Sequence, residues 1–269
     1  MALQREGFEV VKIPTRGGVL DISAIESALD KKIFMASFML VNNETGAIID
    51  IEKIAKGAKS KNPRVLVHTD AVQSFGHIET KPYRMGVDMM SVSSHKIHGP
   101  KGVGALYITP RLKSFPALLQ GGGQESNFRS GTEGTPAIFG FAAACSAVSA
   151  TFKDDSAREQ AMIAALAERL GAVEGIVING CHEAPHILSL SIPGVPTQNT
   201  INILQDHGIC VSAGSACAKG HRSHVLEAMG TKPDVMDGSF RVSLCRNTAQ
   251  EELDKLCDVL INEVLPRAR

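Results

Sequence analysis

The sequence is poor in aromatic residues and has no excess of charge of either sign. Tryptophan is absent and aromatic residues make up only 4% of the chain, which argues against the stacking platforms that bind single-stranded nucleic acid. The 28 lysines and arginines equal the 28 aspartates and glutamates, so no global field favours nucleic acid or an anionic membrane. We therefore expect neither a nucleic-acid nor a membrane partner.

The cysteines and histidines also lack the spacing of a metal site. No CxxC pair occurs and the histidines do not cluster, so neither a zinc site nor a disulfide framework is indicated. No segment approaches the roughly 20 apolar residues of a membrane-spanning helix, and the first residues lack the apolar core of a signal peptide. These absences predict a cytoplasmic protein with free thiols and no metal. The six cysteines are at positions 145, 181, 210, 217, 245 and 257.

Buried strands alternate with helices in the first half of the chain. Continuous apolar runs predict strands over residues 33–41, 64–68 and 87–92, and Asp50 has the position of an N-cap for a helix between the first two. This alternation predicts an α/β fold with a mostly parallel sheet. In such sheets, ligands bind beyond the carboxyl ends of the strands.

Three polar residues follow the ends of these predicted strands: Asn43, Asp70 and Lys96. Each alone is more often a turn or surface residue. Because carboxyl ends of parallel strands meet at one edge of a sheet, their joint placement favours a shared site.

The second half of the chain reads as a smaller α+β domain. The alanine-rich segment from Thr135 to about Gly171 predicts two helices, interrupted at residues 153–155. We place the domain boundary there, which gives a first domain over 1–152 and a small domain over 153–269. A last helix is predicted to begin with a capping box from Thr248 to Glu251.

The segment Ser91–Gly102, SVSSHKIHGPKG, delivers Lys96 from a buried strand to a polar, glycine-rich loop. A lysine in a partly dry pocket can serve as an amine nucleophile, a Schiff-base former or a general base. The alternative is a surface lysine at a strand end. The lysine by itself does not distinguish the two.

Two further loops carry candidate chemistry. Residues 121–132 combine glycines with a hydroxyl and an arginine, a composition that can cradle an anion but is also common in ordinary loops. Cys217 lies among small residues beside Lys219 and Arg222, whose positive charges favour the nucleophilic thiolate. An inert cysteine in a flexible loop is the alternative.

Six motifs, taken together, are similar to those of a known family. In chain order they are VNNETG, HTDAVQS, SVSSHKIHGPKG, GGGQESNFRSGT, SAGSAC and SFRVSL. On these motifs the chain resembles the cysteine desulfurases, which are fold-type I pyridoxal-phosphate enzymes, over essentially its whole length. The resemblance implies the aminotransferase type I fold with a large, cofactor-binding domain, a pyridoxal 5'-phosphate cofactor, L-cysteine as substrate and a homodimer.

The resemblance assigns cofactor roles to residues of three motifs. Lys96 carries the cofactor and, once released by the substrate, moves the Cα proton. Asp70 pairs with the protonated pyridine nitrogen and Gln73 hydrogen-bonds the phenolic oxygen. The cofactor phosphate is bound by Ser93 and His95, and from the partner subunit of a dimer by Thr132.

The resemblance also assigns substrate and sulfur-transfer roles. Asn43 and Arg241 hold the substrate carboxylate, for which the arginine fork is suited. Cys217 accepts the sulfur as a persulfide and leaves alanine. The persulfide then passes to an acceptor or scaffold protein for iron–sulfur cluster assembly or thio-modification.

The chain departs from the family pattern at its start. Relatives have a further N-terminal segment with a phosphate loop and a histidine that stacks on the cofactor ring, and we expect the large domain here to be partial. Two other functions therefore stay open: a selenocysteine lyase or related lyase, and a truncated, catalytically impaired paralogue that acts as a binding partner.

Overall fold

A computed structural model describes residues 2–29, 32–112, 115–214 and 222–268. These residues form two compact units, which we call the sheet unit and the core unit. The sheet unit comprises Lys31–Leu40 and Asp50–Phe152; the core unit comprises Met1–Asp30, Val41–Ile49 and Lys153–Arg269. The domain assignment made from the sequence, with its single boundary at residue 152, stays a prediction.

The helices and strands are numbered in chain order. The helices are α1 (Ala2–Arg5), α2 (Ile22–Ala28), α3 (Ile51–Lys61), α4 (Thr135–Gly171), α5 (Thr197–Asp206), α6 (His224–Ala228), α7 (Pro233–Asp237) and α8 (Gln250–Val259). The strands are β1 (Thr15–Arg16), β2 (Val19–Leu20), β3 (Met35–Met39), β4 (Leu66–Asp70), β5 (Met89–Ser93), β6 (Gly104–Ile108), β7 (Val177–Asn179), β8 (Ile187–Ser191) and β9 (Ser239–Ser243). Short 3-10 helices cover Ser94–Ile97, Glu125–Asn127 and Leu265–Arg267, and a π-helical turn covers Leu260–Val264.

The sheet unit is built on a four-stranded sheet in the order β3-β4-β5-β6. β3, β4 and β5 are parallel, and β6 pairs antiparallel with β5. The predicted mostly parallel α/β sheet is therefore confirmed. Its parallel strands end at one edge, where Asp70 and Ser93 are the last residues of β4 and β5.

Helix α3 connects β3 to β4 and covers the sheet with its apolar side. The Asp50 carboxylate accepts a hydrogen bond from the Lys53 N–H at 3.0 Å, which confirms Asp50 as the N-cap. Ile51, Ile54 and Ala55 are buried, as their spacing on one helical face predicts.

A buried carboxylate next to β5 forms hydrogen bonds to three other segments of the sheet unit. Asp88 is 1% exposed and accepts hydrogen bonds from the Arg111 guanidinium, the Val67 N–H and the Lys59 ammonium. Burial raises the pKa of Asp88, but these hydrogen bonds and the Lys59 charge outweigh it, so the pKa lies below its ordinary value. Asp88 is thus held as an anion.

The core unit is built on a three-stranded antiparallel sheet in the order β7-β8-β9. Every residue of the central strand β8 is buried. Ile163 and Leu170 from the C-terminal part of α4 and Leu256 from α8 belong to the same apolar cluster as β8. The sheet and its surrounding helices thus share one apolar core.

Helix α4 differs from the prediction, because one continuous helix spans Thr135–Gly171 where two were expected. The charges at residues 153–155 lie on a helix whose neighbours are mostly alanine and other good helix formers, so a potential N-cap does not interrupt it. An 18-residue stretch of α4 has a mean hydropathy of 1.4, so by length and composition it could cross a membrane. The expectation of no such segment was wrong, although core helices of soluble proteins meet the same criteria.

The N-cap of helix α8 is one residue later than the predicted cap at Thr248. The N-cap is Ala249, whose N–H donates to the Glu252 carboxylate at 2.8 Å. The Thr248 hydroxyl accepts instead from the Cys245 N–H at 3.0 Å. The cap is therefore one residue later than predicted and has only the Glu252 half of a capping box, because the preceding turn already uses the threonine hydroxyl.

Candidate active site

The parallel sheet presents one face that carries polar side chains. Side chains of a strand alternate between its faces, and register partners on adjacent strands share a face. Ser37 on β3 is the partner of His68 on β4, and Asp70 is the partner of Ser91 on β5. His68 and Asp70, two residues apart, therefore lie on this face. So does Ser93, two residues after Ser91.

Asp70 and Gln73 lie where β4 turns away from the sheet. The Asp70 carboxylate is exposed, and its Oδ1 accepts a hydrogen bond from the Val72 N–H at 2.9 Å. The following turn closes with a hydrogen bond from the Ser74 N–H to the Ala71 carbonyl at 3.1 Å, and it contains the half-buried Gln73. An anionic group is thus fixed at the carboxyl end of the strand.

The end of β5 brings two predicted site residues together. The Ser93 hydroxyl and the His95 Nδ1 are 2.7 Å apart and hydrogen-bonded. The tight turn of the 3-10 helix Ser94–Ile97 makes this contact and also carries Lys96, which is half-buried. A Cβ at Gly99 would be 2.1 Å from the Ser94 hydroxyl oxygen, so only glycine fits beside this turn.

Thr132, the remaining predicted phosphate residue, is also in the sheet unit. It is exposed between the glycine-rich loop and α4, and among the described residues no hydrogen bond joins it to Ser93 or His95. The loop before it closes on itself, with the Gly131 N–H donating to the Gln124 Oε1 at 3.1 Å. Residues 125–127 adopt left-handed backbone conformations with φ between 50° and 66°. Non-glycine residues in this region are strained, which is often a mark of functional loops.

In the core unit, Asn43 and Arg241 are in contact. The Arg241 Nη1 donates to the Asn43 backbone carbonyl, and its Nε donates to the Ser243 hydroxyl at 3.0 Å. Burial lowers the pKa of Arg241, and the negative charge of Glu44 opposes that effect. The sequence predicted both residues but not that the Asn43 backbone makes the contact.

Glu44 is a buried carboxylate that the sequence analysis did not single out. It is 3% exposed, accepts a hydrogen bond from the Ser223 hydroxyl, and lies 3.3 Å from where a Cβ on Gly214 would be. Glu44 thus lies near both Gly214 and Ser223, which are nine positions apart in the sequence. Cys217, the predicted sulfur acceptor, lies outside the described residues.

Comparison with known families identifies this arrangement. The class-V aminotransferase family model matches residues 1–256. The chain belongs to the class-V aminotransferase family. Members of this family depend on pyridoxal phosphate. The residues predicted to bind it here lie at the ends of β4 and β5 in the sheet unit.

Curated class-V relatives carry the name cysteine desulfurase. The chain is 37% identical to "Cysteine desulfurase, mitochondrial" of Arabidopsis thaliana, over 97% of this chain and 58% of the relative. It is 39% identical to "Cysteine desulfurase IscS" of Pseudomonas fluorescens, over 96% of this chain and 65% of the relative. The chain thus spans about three-fifths of these relatives' length.

Solved class-V structures have the same fold. A NifS-like protein superposes with a TM-score of 0.88 at 34% identity, covering 98% of this chain and 70% of that one. A cysteine desulfurase from Thermococcus onnurineus superposes with a TM-score of 0.86 at 25% identity, covering 98% and 69%. These similarities confirm the fold expected from the sequence motifs.

The polar groups at this edge of the sheet are chemically suited to bind pyridoxal phosphate. An exposed carboxylate at a strand end suits a protonated ring nitrogen, and a hydrogen-bonded hydroxyl and imidazole suit a phosphate. The lysine amine, one residue after that imidazole, suits the aldehyde. The residues are Asp70, Ser93, His95 and Lys96.

Proposed function

We propose that this chain carries out cysteine desulfuration with pyridoxal phosphate, converting L-cysteine to L-alanine and placing the sulfur on Cys217. The observation that carries the proposal is the convergence of Asp70, Ser93 and Lys96 at the carboxyl ends of two neighbouring parallel strands. The names of the relatives support the substrate. This activity is proposed because the chain spans only part of those relatives.

The proposed cofactor contacts use groups of the sheet unit. Asp70 would face the ring nitrogen, Gln73 the phenolic oxygen, and Ser93 with His95 the phosphate. When bound, pyridoxal phosphate supplies an electron sink that stabilises negative charge at the Cα of an attached amino acid. Lys96 would hold the cofactor through its Nζ and afterwards take and return the Cα proton.

The proposed substrate contacts use groups of the core unit. The guanidinium of Arg241 is partly shielded from water and would bind the substrate carboxylate, together with Asn43. The Cys217 Sγ would attack the substrate sulfur. An S–S bond forms as the C–S bond breaks, and the electron pair stays with the carbon, which a proton converts to alanine. Cysteine and thiol thus become alanine and persulfide.

The proposal extends to partners and location. The persulfide sulfur would pass to an acceptor or scaffold protein for iron–sulfur cluster assembly or thio-modification. Thr132 would reach the cofactor phosphate of the other subunit in a homodimer. A cytoplasmic location is part of the proposal; the relatives include bacterial proteins and one named as mitochondrial.

The test combines absorbance with mass spectrometry on the purified chain. We expect a visible absorbance band of bound pyridoxal phosphate that is lost in Lys96→Ala, and a 32-Da persulfide adduct on Cys217 after addition of cysteine. Cys217→Ser should abolish the adduct and alanine release while keeping the band. Cys210→Ser, at an exposed cysteine in the same unit, is the matched control and should keep both. Folded protein that shows no band in the presence of the cofactor would contradict the proposal.

A further inference from the structure

His68 lies beside Asp70 in the middle of the parallel sheet. It is two residues earlier on β4 and on the same face, and it is half-buried whereas Asp70 is exposed. The sequence motif that contains Asp70 and Gln73 begins with this histidine. The proposed cofactor contacts give it no role.

Both ring nitrogens of His68 are hydrogen-bonded to hydroxyls on the two adjacent strands. The Nδ1 is 2.8 Å from the Ser37 Oγ on β3, and the Nε2 is 3.3 Å from the Ser91 Oγ on β5. A neutral imidazole has one donor and one acceptor nitrogen, and each hydroxyl can act as either. The neutral ring is therefore fully satisfied, and its plane is fixed across three strands.

The charge around this ring explains which form it adopts. Burial lowers the pKa of His68 below its ordinary value, and the negative charge of Asp70 opposes part of that effect. Among the described residues, the groups that act on the ring are therefore the Ser37 and Ser91 hydroxyls from its neighbouring strands and the Asp70 carboxylate from its own. Near neutral pH the imidazole is uncharged and does not pair electrostatically with Asp70.

Building on the proposed function, we propose that His68 makes the interaction between Asp70 and the cofactor depend on pH. The neutral ring, held between Ser37 and Ser91, leaves the Asp70 negative charge to the cofactor's ring nitrogen. At acid pH the protonated ring places a positive charge beside the same carboxylate and competes with the cofactor. The consequence is a cofactor affinity that falls with acidity through His68, in addition to any change from the cofactor's own titration.

The experiment compares cofactor affinity in wild type and His68→Gln between pH 7.5 and 5.5 by equilibrium dialysis with pyridoxal phosphate. The glutamine can bond a serine hydroxyl but cannot take a proton. We expect near-equal dissociation constants at pH 7.5. As the pH falls and the wild-type ring takes up a proton, the wild-type constant should become several-fold higher than that of the variant, because only the wild type gains a positive charge beside Asp70. Equal constants at both pH values would overturn the proposal.

A second measurement keeps the test independent of cofactor binding. In the cofactor-free chain, the NMR titration midpoint of the His68 ring, assigned from its loss in His68→Gln, should fall in Asp70→Asn, because the charge that raises it is removed. The ring signals of His207, which pairs with Glu263 in the core unit at 2.9 Å, are the control and should have the same chemical shifts in wild type and Asp70→Asn at neutral pH. An unchanged His68 midpoint would refute the coupling. A chain that binds no cofactor but shows the fall would contradict the proposed function and support the coupling.

Discussion

The two sheets differ in how completely the described residues cover them. All five residues of β8, the central strand of the core unit, are buried. In the sheet unit, the first three residues of β6 are exposed, and Leu106 among them is 49% exposed. The antiparallel sheet therefore has a closed apolar core, whereas part of the parallel sheet faces solvent.

This difference extends to helix α4, which contributes to both units. In its C-terminal part, Ile163 and Leu170 have no exposed surface. In its N-terminal part, Ile138 is 40% and Phe139 is 75% exposed. Sheets with parallel strands are usually covered on both faces. The exposed apolar residues Leu106, Ile138 and Phe139 are all in the sheet unit, which also carries the proposed cofactor residues. The two units should therefore differ in how strongly apolar packing stabilises them.

The largest expected effect tests that difference with two matched leucines. Leu190→Ala in β8 removes a fully buried side chain and should destabilise the core unit by about 3 kcal/mol, because a cavity remains. Leu106→Ala in β6 should cost less than about 1 kcal/mol, because half of the side chain already contacts water. Hydrogen exchange read separately for the strands of each unit gives both values. Equal costs would mean that Leu106 is covered in solution.

The next effect compares a buried carboxylate of the sheet unit with an exposed one of the core unit. Asp88→Asn should destabilise the sheet unit by about 2 kcal/mol at neutral pH, because charge-assisted hydrogen bonds from Arg111 and Lys59 are lost. Asp237→Asn removes the charge and one of the two acceptors that Arg222 bonds at 2.7 Å, but in solvent, and should leave stability nearly unchanged. Urea unfolding followed by circular dichroism measures both.

The pH dependence of the Asp88 effect has a definite sign. The folded-state pKa of Asp88 is lower than its unfolded value, so its stabilisation is present above the unfolded value of about 3.9. It is lost as the pH falls through the folded value. The stability difference between wild type and Asp88→Asn should therefore be constant near neutrality and shrink only in strong acid. A difference that shrinks near pH 6 would point to another group.

The sequence predicted the sheet because apolar runs and caps are local signals. The Asp50 cap, the strands β3 to β5 and their polar ends follow from patterns within ten residues. The uninterrupted α4 and the shifted cap of α8 were missed, because a potential cap residue is overridden when helix formers surround it or when its hydroxyl is already bonded. Whether a potential cap residue ends a helix therefore depends on its neighbours and on its other hydrogen bonds, and not on its own propensity alone.

The motifs identified the proposed cofactor and substrate residues, but not the side chains that hold them. The Ser93–His95 contact follows from spacing in one tight turn. The bonds of His68 to Ser37 and Ser91 join residues more than 20 positions apart, and they become visible only once strand register is known. The contact of Glu44 with Ser223 spans 179 positions and has no sequence signal of its own.

The smallest expected effect concerns Glu44, the buried carboxylate of the core unit. Glu44→Gln keeps the volume, but it replaces the charged acceptor of the Ser223 hydroxyl by a neutral one and removes the charge that acts on Arg241. We therefore expect a loss of about 1 kcal/mol in urea unfolding. Ser223→Ala should cost a similar amount. If the two residues act through their shared hydrogen bond, the double variant should lose less stability than the two single variants added together, by about 0.5 kcal/mol or more. Strict additivity would show that Glu44 stabilises the unit through Arg241 rather than through Ser223, which would make it a counter-ion for the guanidinium and not a tie between the segments that flank Cys217.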